Sequence, residues 1–186
     1  MAGLSGIINV YKPKGITSHD VVYKLRKILG IKKIGHTGTL DPDAEGVLPM
    51  CIGRATKTAD MLTAADKEYM AEVTLGFSTD TQDSSGSVIK SVDMDDFIVS
   101  SDDIENAVTK YIGDINQLPP MYSAIKIGGK KLYELAREGK TIERKSRKVE
   151  IKEIRILEMA LPRVRMEVSC SKGTYIRTLC HDIGEK

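Results

Sequence analysis

Residues 35 to 46 read GHTGTLDPDAEG and hold one imidazole and three carboxylates, His36, Asp41, Asp43 and Glu45. Three glycines and one proline are interleaved with them, and apolar side chains are almost absent. A carboxylate held at a fixed place on a polar loop serves as a nucleophile, a base or a metal ligand. Pro42 has no N–H to donate and restricts the residue before it to extended conformations, so Asp41 is presented in a defined pose. Glycines at 35, 38 and 46 let the backbone turn sharply and approach a ligand closely. The rival reading of the same residues is a plain turn in which Asp41 accepts from nearby backbone N–H groups. Asp43 and Glu45 beside His36 also raise a metal site. Magnesium sites, however, lean on one or two carboxylates together with phosphate, and the chain has no GxxxxGK[ST], no GxGxxG and no GxSxG. Of the three histidines, His19, His36 and His181, only His36 stands beside another candidate group.

The elements that must position this loop follow from periodicity. Gly6 to Val10 reads as a short strand, and Pro13-Lys14-Gly15 turns the chain. Thr17 or Ser18 caps a helix whose stripe is Val21, Val22, Leu25, Ile28 and Leu29, with Gly30 as its stop. Val47 to Ile52 is a strand in which Pro49 demands an edge or a bulge. Ala55 to Ala65 reads as helix. Tyr69 to Phe77 alternates, with Tyr69, Ala71, Val73 and Leu75 on one side. Ser78 to Gly86 is a polar loop, and Ile104 to Ile112 and Leu132 to Arg137 are helix candidates. Pro119-Pro120 breaks the chain, and Gly128-Gly129 is a turn. Lys148 to Ile156 and Val164 to Cys170 read as a strand pair. A final helix starts at Tyr175 with Thr174 as its cap. Irregular interleaving with hairpin-like pairs predicts an α+β fold around a mixed, largely antiparallel sheet rather than a βαβ repeat.

The chain's 186 residues, 41% hydrophobic and 29% charged, suit one globular domain with a sizeable core. No apolar run reaches membrane-spanning length, and the N-terminus lacks a signal-peptide pattern. Cys51, Cys170 and Cys180 are far apart and form no CxxC, so reduced thiols in the cytoplasm are expected. The net charge of +2 is unevenly spread. Residues 126 to 152 carry ten Lys/Arg against four Glu, net +6, and residues 80 to 105 carry eight Asp/Glu against one Lys, net −7. One face that attracts polyanions is the sharper reading, and a solvated surface the plainer one.

Five blocks, in order, resemble the TruB family of tRNA pseudouridine synthases: GIINVYKPKGITSHDVV, GHTGTLDPDAEGVLPMCIGRATK, KEYMAEVTLGFSTDTQDSSG, PPMYSAIKIGGKKLYELAREG and CSKGTYIRTLCHDIGEK. The resemblance implies the pseudouridine synthase fold over residues 1 to 186, with an RNA-clamping insertion at about 119 to 145. It makes Asp41 the essential aspartate, His36 the filler of the gap left by a flipped base, and Tyr69 the ring that stacks on that base. Arg177 would pair with the aspartate, and Tyr175 and Lys12 fall on substrate-site positions. Taken alone, the periodicity of Tyr69 favours an inward strand residue.

The implied activity is isomerisation of uridine to pseudouridine in the T-loop of tRNA, at position 55, with no cofactor and no metal. The resemblance also implies a cytoplasmic monomer with tRNA as its partner and no membrane contact. Relatives in the family continue past a point equivalent to Gly184-Glu185-Lys186 with a segment rich in His, Leu and Arg, and often a PUA-like domain. That departure keeps a second function open: a non-catalytic RNA-binding or folding module using the same cleft. A guide-RNA-dependent branch shares the aspartate motif, but the long MYSAIKIGGKKLYELAREG insertion speaks for the stand-alone branch. A metal hydrolase built on Asp41, Asp43 and His36 is a third reading.

Overall fold

The computed structural model describes residues 3–93 and 97–186. Asp95 and Asp96 of the acidic block lie outside the described residues. The chain gathers into two compact units, Met1–Ala65 and Asp66–Lys186, where the sequence alone reads as one domain.

The first unit runs β1 (Gly6–Lys12), α1 (Ser18–Leu29), β2 (Ile34–His36) and β3 (Gly46–Ile52), then a 3-10 turn (Gly53–Thr58) and α2 (Ala59–Thr63). Thr17 caps α1 through a capping box with Asp20, and Gly30 ends it in the left-handed region at φ 66°. The strand order is β1-β3-β2, all antiparallel. Val21 and Val22 of α1 pack on Ile34, Leu48, Met50 and Ile52, with Leu25 and Leu29 at the margin. The helix expected over 55–65 begins as 3-10, so only its last turn is α.

Pro49 sits in neither an edge strand nor a bulge. β3 is the central strand, and Pro49 lies opposite Asn9 in an unbroken register. Its carbonyl accepts from Thr37 N at 3.1 Å, beyond the end of β2 at His36. In an antiparallel strand a residue's nitrogen faces the same side as its carbonyl. The missing donor therefore points where no strand partner stands, and the ladder with β1 loses nothing.

The second unit runs β4 (Lys67–Thr74), β5 (Phe77–Thr79), β6 (Val88–Ser91), α3 (Ser101–Thr109), β7 (Gly113–Gln117), β8 (Lys126–Ile127) and β9 (Lys130–Lys131). It continues through α4 (Leu132–Arg137), β10 (Arg147–Ala160), β11 (Arg163–Cys170) and α5 (Ile176–Gly184). Four strands form an antiparallel sheet in the order β4-β11-β10-β7. The alternation read in β11 is real: Val164, Met166, Val168 and Cys170 are all buried. With Ala71, Ile151 and Ile154 they meet Ile104, Ala107 and Val108 of α3 and Leu179 and Ile183 of α5. Burying about ten such apolar side chains, at roughly 1.5–3 kcal/mol each, is what holds both helices to the sheet. α3 starts earlier than the apolar pattern suggests because Ser100 and Asp103 form a capping box ahead of Ile104.

The β8–β9 hairpin turns through Gly128 and Gly129, at φ 59° and 85°, a backbone only glycine adopts readily twice in succession. All strand pairs among the described residues are antiparallel. They divide into one sheet in each unit and two hairpins. The three cysteines are free thiols. No helix among the described residues is long and apolar enough to cross a membrane.

Candidate active site

The loop after β2 is fixed from several directions within the first unit. Thr37 is buried, and its hydroxyl and N–H both donate to the Pro49 carbonyl. Ser18, the first residue of α1, accepts from Leu40 N at 2.9 Å and donates to Leu40 O at 3.3 Å. Gly15 N donates to Pro42 O at 2.9 Å, and Ala44 N closes a turn onto Asp41 O at 3.1 Å. Asp41 is half-buried, and both of its neighbours are tied down.

Beneath the loop lies Lys12, with no exposed surface. Its ammonium donates to the carbonyls of Pro13 (2.9 Å), Pro42 (3.2 Å) and Ala44 (2.7 Å). Three acceptors use the three protons of a compact ammonium, which answers the cost of burying it. Burial lowers its pKa, and the charges of Asp43, Asp41 and Glu45 oppose that shift. The resemblance put Lys12 at a substrate position. The structure gives it a further task, that of setting the backbone on both sides of Asp43 and placing a positive charge under Asp41.

His36 ends β2 and is half-buried, with its buried Nδ1 making no hydrogen bond among the described residues. Burial, helped by the His19 charge, outweighs the nearby Gly38 backbone and holds its pKa below the usual value, so the ring is neutral near pH 7. Among the described residues no three His, Cys, Asp or Glu side chains gather as a metal site would require, and that includes Asp41, Asp43 and His36.

The second unit carries the other sequence-derived residues. Tyr69 lies on β4 opposite Val168, half-buried against the core of this unit. Tyr175 is the residue from which α5 starts, and Arg177 is in its first turn. Thr174 does not cap α5; its hydroxyl turns back to Ser171 O at 2.9 Å. The Arg177 guanidinium donates to Tyr122 O (2.8 Å), Thr81 O (3.3 Å) and the Asp83 carboxylate (3.2 Å).

Asp83 in turn organises the polar loop after β5. It accepts from Thr81 Oγ1 (2.8 Å), Ser85 N (3.0 Å) and Ser85 Oγ (2.6 Å). Burial pushes its carboxyl up, but the bonds from Ser85 and Thr81, with the Arg177 charge, outweigh that and hold it below the usual range. One residue on, Thr178 Oγ1 donates to Gln82 Oε1 at 2.7 Å, and Gln82 adopts φ 61°, a conformation a non-glycine residue takes at a cost. Gln117, at the end of β7, bonds both backbone groups of Tyr175.

Asp83, Gln82 and Gln117 escape a reading of the sequence. The first two lie in what reads only as a polar loop, and the third gives no signal beyond a polar residue before Leu118-Pro119-Pro120. The basic insertion is anchored in the same unit. Arg144 Nη1 donates to Pro119 O at 2.9 Å, and Tyr133 N to Ser123 O at 3.1 Å. Lys131 and Arg137 lie over the Tyr133 ring, leaving Lys126, Lys145 and Arg147 exposed.

The fold has solved counterparts. The structure described as "Crystal Structure of a Cbf5-Nop10-Gar1 Complex" contains a chain similar to this one, at TM-score 0.73 and 34% identity over 97% of this chain and 44% of that one. A second, an H/ACA RNP bound to a substrate RNA containing 2'-deoxyuridine, gives TM-score 0.69 and 31% identity over 97% and 42%. The fold class is thus the α+β class of these two solved structures.

The family itself is given by residues 26–176, which match the model of the TruB family pseudouridylate synthase, N-terminal domain. The chain belongs to the TruB family. It is 55% identical to tRNA pseudouridine synthase B of Clostridioides difficile (strain 630), over 98% of this chain and 60% of that protein. It is 58% identical to tRNA pseudouridine synthase B of Clostridium novyi (strain NT), over 97% and 62%. The chain therefore spans about three-fifths of the length of these relatives.

Proposed function

We propose that this chain carries the chemistry of a tRNA pseudouridine synthase that converts a T-loop uridine, position 55, to pseudouridine. The observation that carries the reading is the placement of Asp41. It is the carboxylate whose neighbours are locked by Lys12, Ser18 and Gly15, on the loop by which the chain resembles the family. Relatives at 55–58% identity are tRNA pseudouridine synthases B, whereas the chains of the H/ACA RNP and of the Cbf5-Nop10-Gar1 complex stand at 31–34%. That favours a stand-alone enzyme acting on tRNA; a soluble cytoplasmic monomer is what the family resemblance implies for it.

The reaction breaks the bond from C1' to N1 of uracil, turns the base, and joins C1' to C5; the C5 hydrogen leaves to water. Asp41, as carboxylate, attacks C1' or takes a proton from the sugar. Arg177 supplies a charge that keeps a carboxylate ionised. The target base must leave its stack, at about a few kcal/mol. Tyr69 offsets part of this by stacking on the base, and neutral His36 by filling the gap. Tyr175 completes the wall of the base pocket. The exposed cations of residues 126–152 meet the phosphates of the T-arm, and the insertion at 119–145 closes on it. Residues 1–186 form one pseudouridine synthase catalytic domain on this reading.

The test is release of tritium from a T-arm RNA labelled at C5 of its uridines. The parent chain is expected to release it, and Asp41→Ala to bind the RNA within about threefold but release none, since a positioned carboxylate contributes several orders of magnitude to such a step. Binding without release by the parent would make the chain an RNA-binding module. Equal release by both proteins would remove Asp41 from the chemistry.

A further inference from the structure

α5 begins without a cap of its own. Tyr175 is its N-cap residue, in extended conformation at φ −97° and ψ 104°, and no side chain closes the first turn in the usual way. Something else must decide where the helix starts and which way Tyr175 and Arg177 leave it.

Gln117 does this. Its Oε1 accepts from Tyr175 N at 2.8 Å, and its Nε2 donates to Tyr175 O at 3.1 Å. The amide orientation is set by its partners, because a backbone N–H only donates and a carbonyl only accepts. The side chain thus pairs with Tyr175 as a neighbouring strand residue would, gripping the peptide groups on both sides of the Cα that carries the ring. Tyr175 O is also the acceptor of the helical bond from Leu179 N at 3.0 Å, so the same atom joins Gln117 to the first turn.

Gln117 is itself held. It closes β7 opposite Arg147 of β10 and is only 2% exposed. The Gln117 amide is shut off from water, so losing the pair would leave its own donor and acceptor and Tyr175 N without these partners, while Tyr175 O would keep the bond from Leu179 N. No other side chain of this length offers one donor and one acceptor in a plane. Glutamate presents lone pairs to Tyr175 O, and methionine presents neither donor nor acceptor.

We propose that Gln117 is a positioning residue for the reaction: by fixing both peptide groups of Tyr175 it sets the first turn of α5, and with it the directions of Tyr175 and Arg177. This rests on the reading of the chain as a pseudouridine synthase, but its local part stands on geometry alone.

Two measurements separate the claims. In the parent chain, amide exchange followed by NMR should show Tyr175 N–H protected. Exchange at the open-chain rate would overturn the proposal whatever any variant does. Gln117→Met, which keeps length and burial, should speed exchange at Tyr175 about tenfold relative to Leu179, the amount one lost hydrogen bond gives.

Single-turnover tritium release and RNA affinity are then measured well below the melting point. Gln117→Met is expected to leave affinity within about threefold and to slow release about ten- to a hundredfold, as small displacements of positioned groups do. Gln117→Glu should be slower still. A variant with a lowered melting point but the parent's release rate would make Gln117 merely structural and overturn the proposal. If the parent itself releases no tritium, the enzyme reading fails, and the exchange at Tyr175 alone decides whether Gln117 sets the turn.

Discussion

Asp83→Asn separates the charge on Asp83 from its shape. In the parent, one carboxylate oxygen takes three bonds, from Thr81 Oγ1, Ser85 N and Ser85 Oγ, and the other takes Arg177 Nη1 at 3.2 Å. Asparagine's carbonyl keeps the first three in weaker form and turns an NH2 group toward the guanidinium. Removing one partner of a fully buried ion pair costs about 3–5 kcal/mol. Here the side chains are 11% and 28% exposed, and Arg177 keeps the carbonyls of Thr81 and Tyr122. The loss is therefore smaller, about 2 kcal/mol. For a chain of this size that lowers the melting temperature by about 4–8 °C.

The effect has a pH signature. The Asp83 carboxyl is held below its usual pKa in the folded protein. Its contribution is thus complete above the unfolded value of about 3.9 and is lost as pH falls through the folded value. Melting curves of parent and variant, taken from pH 7 down to about pH 2, should differ most at neutral pH and converge toward the acid end. A gap that is absent at pH 7, or that persists undiminished at the lowest pH, would refute the role assigned to the charge.

Lys12→Met should lower the urea midpoint of the first unit by an amount equivalent to about 2–4 kcal/mol, because the carbonyls of Pro13, Pro42 and Ala44 lose a buried donor. Lys12→Arg should restore little of it, since a planar fork does not fit a site made for a compact ammonium. In the second unit, a Cβ on Gly86 would lie 2.3 Å from Thr81 Oγ1 and 2.4 Å from Asp80 Oδ1. Gly86→Ala should cost about 1–3 kcal/mol and open residues 80–87 to limited proteolysis, whereas Gly6→Ala, which meets nothing within 4 Å, should stay within about 0.5 kcal/mol of the parent.

What the sequence tells of the fold is local. The α1 stripe through Val21, Val22, Leu25 and Leu29, its Thr17 cap and its Gly30 stop, and the alternation of β11, all survive because each is decided by residues within a few positions, whereas Ile28, read into the same stripe, is 76% exposed. The errors come where a distant partner decides. Pro49 looks like an edge residue until Thr37 is seen to occupy its open side. Thr174 looks like a cap until Gln117 takes over the start of α5. The strand read over 69–77 stops at Thr74, and the chain then starts a separate hairpin, because Val92 N reaches back to Gly76 O and β6 pairs with β5.

The candidate site shows the same division more sharply. A loop rich in glycine and carboxylates announces itself, since its composition is incompatible with a core. The groups that hold such a loop do not. Lys12 reaches Pro42 across 30 residues, Gln117 reaches Tyr175 across 58 and Arg177 reaches Asp83 across 94. Each is a polar side chain that reads as surface and is buried because its partner arrives from elsewhere in the chain. Periodicity has no term for this, as it scores a residue by its neighbours in sequence. The physical rule that does find these residues is satisfaction: a buried ammonium or amide persists only where every donor and acceptor is met. Lys12 and Gln117 meet it through backbone groups rather than side chains, so they fix the path of the chain. A perturbation at either should therefore be felt as displacement of Asp41 or of Tyr175 and Arg177, without any change in those residues themselves.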